Sequence, residues 1–97
     1  MNRQDALTKL NDSIREIKKR FSVESLAIFG STARNLANNK SDVDVLVAFN
    51  QKASFDLFMD LKFYLEELLG TKVDLVTDKA LRPQIRKAIE QELINVS

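Results

Sequence analysis

The chain contains no cysteine and no histidine. The first absence excludes disulfides, thiolate catalysis and cysteine-based zinc sites. The second removes the commonest general base near neutral pH and the commonest transition-metal ligand. Any metal must therefore be held by oxygen, which favours Mg²⁺, with Mn²⁺ as the alternative. Neither sign of charge dominates: 15 Lys and Arg face 14 Asp and Glu, for a net charge of +1. With the charges interspersed there is no basic stripe, so no direct nucleic-acid ligand is expected. No apolar run approaches the ~20 residues of a membrane span, and the N-terminus lacks the apolar centre of a signal peptide. A soluble, cytoplasmic protein without membrane contact is expected.

At 97 residues the chain is expected to form a single domain, 1–97. A domain of that size buries only ~60–65% of its unfolded surface. An active site must then lie at the edge of a small core or be completed by a partner. Taken in order, residues 2–20 have helical spacing, with Leu7, Leu10, Ile14, Ile17 and Phe21 on one stripe. A strand follows over about Ser25 to Phe29, then the corner Gly30-Ser31, with Ser31 placed to cap a helix from Thr32 to roughly Leu36. Asn35 to Ser41 is a polar loop. The valine-rich run Asp42 to Phe49 is a second strand. Ser54 or a neighbour caps a helix running to about Leu69, with Phe55, Phe58, Leu61, Leu65, Leu68 and Leu69 as its buried stripe and Gly70 just past its end. Tyr64 and Phe63 read as packing or surface aromatics. Thr71 to Thr77 is a third strand. Pro83 suits the first turn of a final helix, with Ile85, Ala88, Ile89 and Leu93 facing inward, and Asp78 suits an extra turn before it. Ile94-Asn95-Val96 adds a short edge strand.

The informative conflict lies within the strands. A side-chain period of two puts Asp42 and Asp44 on one face, with Cα atoms ~6.6 Å apart, while Val43, Val45, Val47 and Phe49 point to the other. Asp74 interrupts a third apolar strand, and the three acids converge if strands two and three are neighbours. At an effective dielectric near 20, two carboxylates ~5 Å apart repel by roughly 3 kcal/mol. A divalent cation with oxygen ligands removes that difficulty, and two such ions ~3.5–4 Å apart would serve an in-line phosphoryl or nucleotidyl displacement. Free N–H groups at the Gly30-Ser31 corner make an anion site, and Arg34 lies one turn further on. Taken alone, Gly-Ser is a turn and a cap, Arg34 a solvated arginine, and Asp42 a residue that starts a strand. The combination is more specific than its parts.

Gly30-Ser31, ten intervening residues, Asp42-x-Asp44 and an acid in a later strand together resemble the nucleotidyltransferases of the DNA polymerase beta superfamily. Within that group the chain is similar to the minimal nucleotidyltransferase (MNT) domain. The likeness spans essentially the whole chain, through GSTAR, SDVDVLVAF, LEELLG, KVDLVT and ALRPQIRKAIEQELINV. It implies an α/β (α+β) fold, a small mixed β-sheet flanked by helices. It implies that Asp42 and Asp44 bridge two Mg²⁺ ions and that Asp74 completes one metal site and helps deprotonate the attacking hydroxyl. Gly30 and Ser31 would contact the β- and γ-phosphates of a nucleoside triphosphate, ATP by expectation, with Arg34 assisting. Proteins of this kind resemble antitoxins whose partner is a helical HEPN ribonuclease toxin, neutralised by transfer of AMP to a tyrosine hydroxyl. Two alternatives stand beside this: an antitoxin acting by stoichiometric contact alone, and a transferase for a small acceptor of the aminoglycoside type. A homo-oligomer is left open.

Overall fold

Alternating valines make the second strand the centre of the molecule. The computed structural model describes residues 1–33 and 42–96, with only the backbone described for Ser31 and Thr32. The expected loop Asn35 to Ser41, the expected helix beyond Ala33 and Arg34 lie outside the described residues. The elements run α1 (Arg3–Phe21), β1 (Val23–Phe29), α2 (Gly30–Ala33), β2 (Val43–Phe49), α3 (Phe55–Leu69), β3 (Val73–Thr77), a 3₁₀ turn (Asp78–Ala80), α4 (Pro83–Glu90) and β4 (Ile94–Val96). The four strands form one sheet in the order β3-β2-β1-β4. β1 is antiparallel to both β2 and β4, whereas β2 and β3 are parallel. A parallel pair needs a crossover, and α3 is its helical part. The expected mixed sheet with flanking helices is what the chain forms.

Local chemistry explains the boundaries. Asn2 caps α1 by accepting the N–H of Asp5 at 2.8 Å. Lys18, Lys19 and Arg20 stand in its last turn, where cations suit the negative end of the helix dipole. Ser22 then adopts a left-handed conformation, φ 55°. The chain reverses there at once, so β1 starts at Val23, two residues before the expected point. Ser54 caps α3 through the N–H of Leu57 at 3.1 Å, and Gly70 ends the helix at φ 70°. Both agree with the sequence reading, as do Pro83 at the start of α4 and the edge strand β4.

The core lies between the sheet and the pair α1 and α3. Val43, Val45 and Val47 of β2 meet Leu10, Ile14 and Ile17 of α1 and Leu61 and Leu65 of α3 in one buried cluster. Burying a side chain of this kind contributes ~1.5–3 kcal/mol, so these positions fix which face of β2 points inward. Phe21 meets the Tyr64 ring at a centroid separation of 5.2 Å, and the Arg20 guanidinium stacks 5.4 Å from the same ring. Tyr64 is thus a packing residue.

Two expected stripes are only partly buried. Phe55, the first residue of α3, is 75% exposed. The fully buried residues of the helix start at Leu61, with Leu57 and Phe58 partly buried against the core. In α4 no residue is buried: Ile85 is half exposed, Ala88 is exposed, and Ile89 is only partly covered, as is Leu93 beyond the helix. The apolar residues of α4 therefore add nothing to the buried core.

Candidate active site

Placing the valines inward places Asp44 outward on the second face of the sheet. The β2–β3 register pairs Asp44 directly with Asp74, and the β1–β2 register pairs Asp44 with Phe29. Asp74 therefore shares a face with Asp44, one strand away, as the acid spacing required. Asp42 lies just before β2, which begins at Val43 rather than at Asp42. It is exposed, and its charge acts on Asp44. All three predicted acids thus gather at the N-terminal ends of two adjacent parallel strands. The alignment of those ends is held by the N–H of Val43 donating to Lys72 O at 3.0 Å.

The electrostatics follow from this placement. Asp44 is half-buried, and burial pushes its carboxyl above the usual value of 3.8. The Asp74 charge and a side-chain hydrogen bond with Asp74 push it further, followed by the charges of Asp42 and Glu92. A proton held between two carboxyls relieves their repulsion. A hard cation bound by oxygen would do the same with more charge, and the donors here are all carboxylate oxygens, the set that suits Mg²⁺ or Mn²⁺. As the side chains stand, no three acids among the described residues are drawn together closely enough to hold an ion. The donor chemistry fits such a metal.

The Gly30 corner adjoins the same acids. Gly30 has φ 71°, in the left-handed region, and a Cβ built there would collide with Asp44 Oδ2 and lie 3.1 Å from its Cγ. Glycine is needed here on both counts. Ser31, predicted to cap a following helix, lies inside the single turn α2, which starts at Gly30. The turn is tied back to α1 by the Arg3 guanidinium, which donates to Ala33 O at 3.3 Å. One participant escaped the sequence reading. Glu92, in the turn after α4, accepts the N–H of Gly30 on its Oε1 at 3.2 Å. An acid two residues before an edge strand is the only signal it offered.

A separate concavity lies elsewhere. A groove of about 730 Å³ between α1 and α3 is lined by Arg20, Phe21, Leu57, Phe63 and Tyr64, with Asp60 and Glu67 at its rim. It opens on the helical side of the sheet, opposite the aspartates, and its aromatic lining is the packing already described. Among the described residues no helix is long and apolar enough to cross a membrane.

A mixed sheet carrying paired aspartates on neighbouring parallel strands, beside a glycine corner, defines a nucleotidyltransferase of the polymerase-beta type. Residues 9–96 match the family described as "Nucleotidyltransferase domain". A candidate protein adenylyltransferase from Methanocaldococcus jannaschii is 43% identical over 95 residues, covering 93% of this chain and 97% of the relative. A structure described as a candidate minimal nucleotidyltransferase superposes with a TM-score of 0.82 at 33% identity, covering 97% of this chain and 95% of the other. The MNT antitoxin–HEPN toxin complex of Shewanella oneidensis, with the toxin tri-AMPylated, shares the fold at a TM-score of 0.68 and 15% identity, covering 94% and 71%. The chain belongs to the nucleotidyltransferase domain family and is an enzyme of that class.

Proposed function

We propose that this nucleotidyltransferase is a cytoplasmic protein adenylyltransferase that moves AMP from ATP to a tyrosine hydroxyl of a helical HEPN ribonuclease, and so acts as its antitoxin. The observation that carries the reading is the cross-strand pairing of Asp44 with Asp74 beside Gly30. The names of the relatives support the adenylyl group and the protein acceptor. Asp42, Asp44 and Asp74 would hold Mg²⁺, which neutralises charge on the transferring phosphate and its leaving group. Gly30, Ser31 and Arg34 would hold the β- and γ-phosphates, orienting the α-phosphorus for in-line attack. The tyrosine oxygen forms a bond to the α-phosphorus, the bond from that phosphorus to the α–β bridging oxygen breaks, and pyrophosphate leaves. Asp74, exposed at the site's edge, receives the phenolic proton. Asp42 and Asp74 are exposed, which suits an acceptor brought by another protein.

The test incubates the protein with labelled ATP, Mg²⁺ and the product of its neighbouring gene. Label on a partner tyrosine, lost with Asp42→Asn plus Asp44→Asn, is expected. No label under conditions where the partner's ribonuclease is active would overturn the reading. Cells still protected by the double variant would show that contact alone neutralises the partner.

A further inference from the structure

β4 runs antiparallel to β1 through the pairs Leu26–Val96, Ala27–Asn95 and Ile28–Ile94. Continuing that register by two residues places Glu92 opposite Gly30. The backbone ladder stops at Ile94, so the Gly30 N–H has no main-chain partner on that side. A side chain takes over: Glu92 Oε1 accepts this N–H at 3.2 Å, joining residues 62 apart in sequence. Glu92 is itself part-buried, and its own N–H is held by Ile89 O at 3.0 Å. A fourth acid next to Asp42, Asp44 and Asp74 adds to an existing repulsion.

Building on the nucleotide-transfer reading, we propose that Glu92 is a positioning residue for the phosphate corner. By accepting the Gly30 N–H it fixes the backbone of that glycine, free in both torsions, in the left-handed conformation that lets the corner sit against Asp44. The C-terminal edge strand thereby sets the distance between the phosphate-holding corner and the carboxylates. The role needs an acceptor atom, not a negative charge.

The test compares wild type, Glu92→Ala and Glu92→Gln by calorimetric binding of a non-hydrolysable ATP analogue with Mg²⁺, and by amide hydrogen exchange at Gly30. The alanine variant should bind about tenfold more weakly, the loss of roughly one well-made hydrogen bond, and its Gly30 amide should exchange faster. Glutamine keeps an acceptor oxygen and should restore both readouts to within about threefold. In turnover, the alanine change should raise KM for ATP and leave kcat nearly unchanged. Alanine binding as wild type does would overturn the proposal, as would glutamine binding as weakly as alanine. If the alanine variant fails to fold, unprotected Gly30 in the glutamine variant overturns it and protected Gly30 supports it. A wild type that binds no analogue while Gly30 stays protected would instead overturn the nucleotide reading, and this role with it.

Discussion

Asp44→Asn should make the metal-free protein more stable while abolishing nucleotide transfer. Asp44 is half-buried, paired with Asp74 across β2 and β3, and its carboxyl is held above its ordinary value of 3.8 by burial first and by Asp74 second. Neighbouring strands lie ~4.8 Å apart, so at an effective dielectric near 20 the two charges repel by about 3 kcal/mol. Asp74 is exposed, and solvent screening reduces this to about 1 kcal/mol. Asparagine has nearly the same size, and its amide N–H₂ donates permanently to Asp74, as the shared proton does in the acid form. For a domain of ~100 residues, 1 kcal/mol corresponds to a Tm rise of about 4–8 °C.

The sign with pH follows from the raised carboxyl. Below 3.8 the group is protonated in both folded and unfolded chains, and the favourable protonated form contributes fully. That contribution is lost as pH rises through the folded value, because the folded state must then ionise against burial and Asp74. The advantage of the asparagine variant should therefore be small near pH 3 and complete near pH 8. Thermal melts in EDTA at several pH values measure it directly. Adding Mg²⁺ should raise the Tm of wild type and leave the variant little changed, which narrows or reverses the difference. A variant no more stable than wild type at pH 8 in EDTA would refute the electrostatic account of this site.

The two glycines offer a controlled comparison. Both have φ near 70°, but a Cβ at Gly70 meets nothing within 4 Å, whereas one at Gly30 strikes Asp44. Gly70→Ala should cost about 1 kcal/mol of stability with activity unchanged. Gly30→Ala should cost at least as much and lower kcat/KM about a hundredfold, since Asp44 must swing away from Asp74; equal activity in the two variants would count against the close approach. Glu66 anchors the start of β3, its Oε2 accepting the Val73 N–H at 3.1 Å and the Lys62 ammonium at 3.0 Å. Those hydrogen bonds, the backbone one first, hold its carboxyl below the ordinary 4.5, so Glu66→Ala should cost about 1–2 kcal/mol above that pH. The cost should fade as pH falls through the lowered folded value, and melts of wild type and variant across pH 2–7 should converge at the acid end.

How much of this was legible in the sequence depends on the kind of order each residue obeys. Period two in SDVDVLVAF fixed the inward valines and outward acids, and a single parallel pairing then brought Asp74 to Asp44. The caps Ser54 and Gly70 were legible because they act within a few residues of themselves. Ser31 was placed before the helix, whereas the short helix starts at Gly30, two residues earlier than expected. The inward stripe assigned to α4 failed for a different reason. Helical spacing shows which side of a helix is apolar, but not whether the rest of the fold covers that side. Phe55 failed likewise: it is 75% exposed although Leu57 and Phe58 in the same turn pack against the core.

Glu92 was invisible for a third reason, and it shows how such a small domain builds a site. Its partner is set by the antiparallel register of two strands far apart in sequence, which no local period encodes. The carboxylates come from β2 and β3, the corner from the end of β1, and the residue that holds the corner from the approach to β4. Each strand of the sheet thus supplies or positions one part. Precision at the acid end comes in part from hydrogen bonds that tie strand ends to one another. Val43 to Lys72, Val73 to Glu66 and Gly30 to Glu92 are three such ties. They cluster at the end of the sheet that carries the aspartates, so the stability of that end and the geometry of the chemistry are governed by the same bonds.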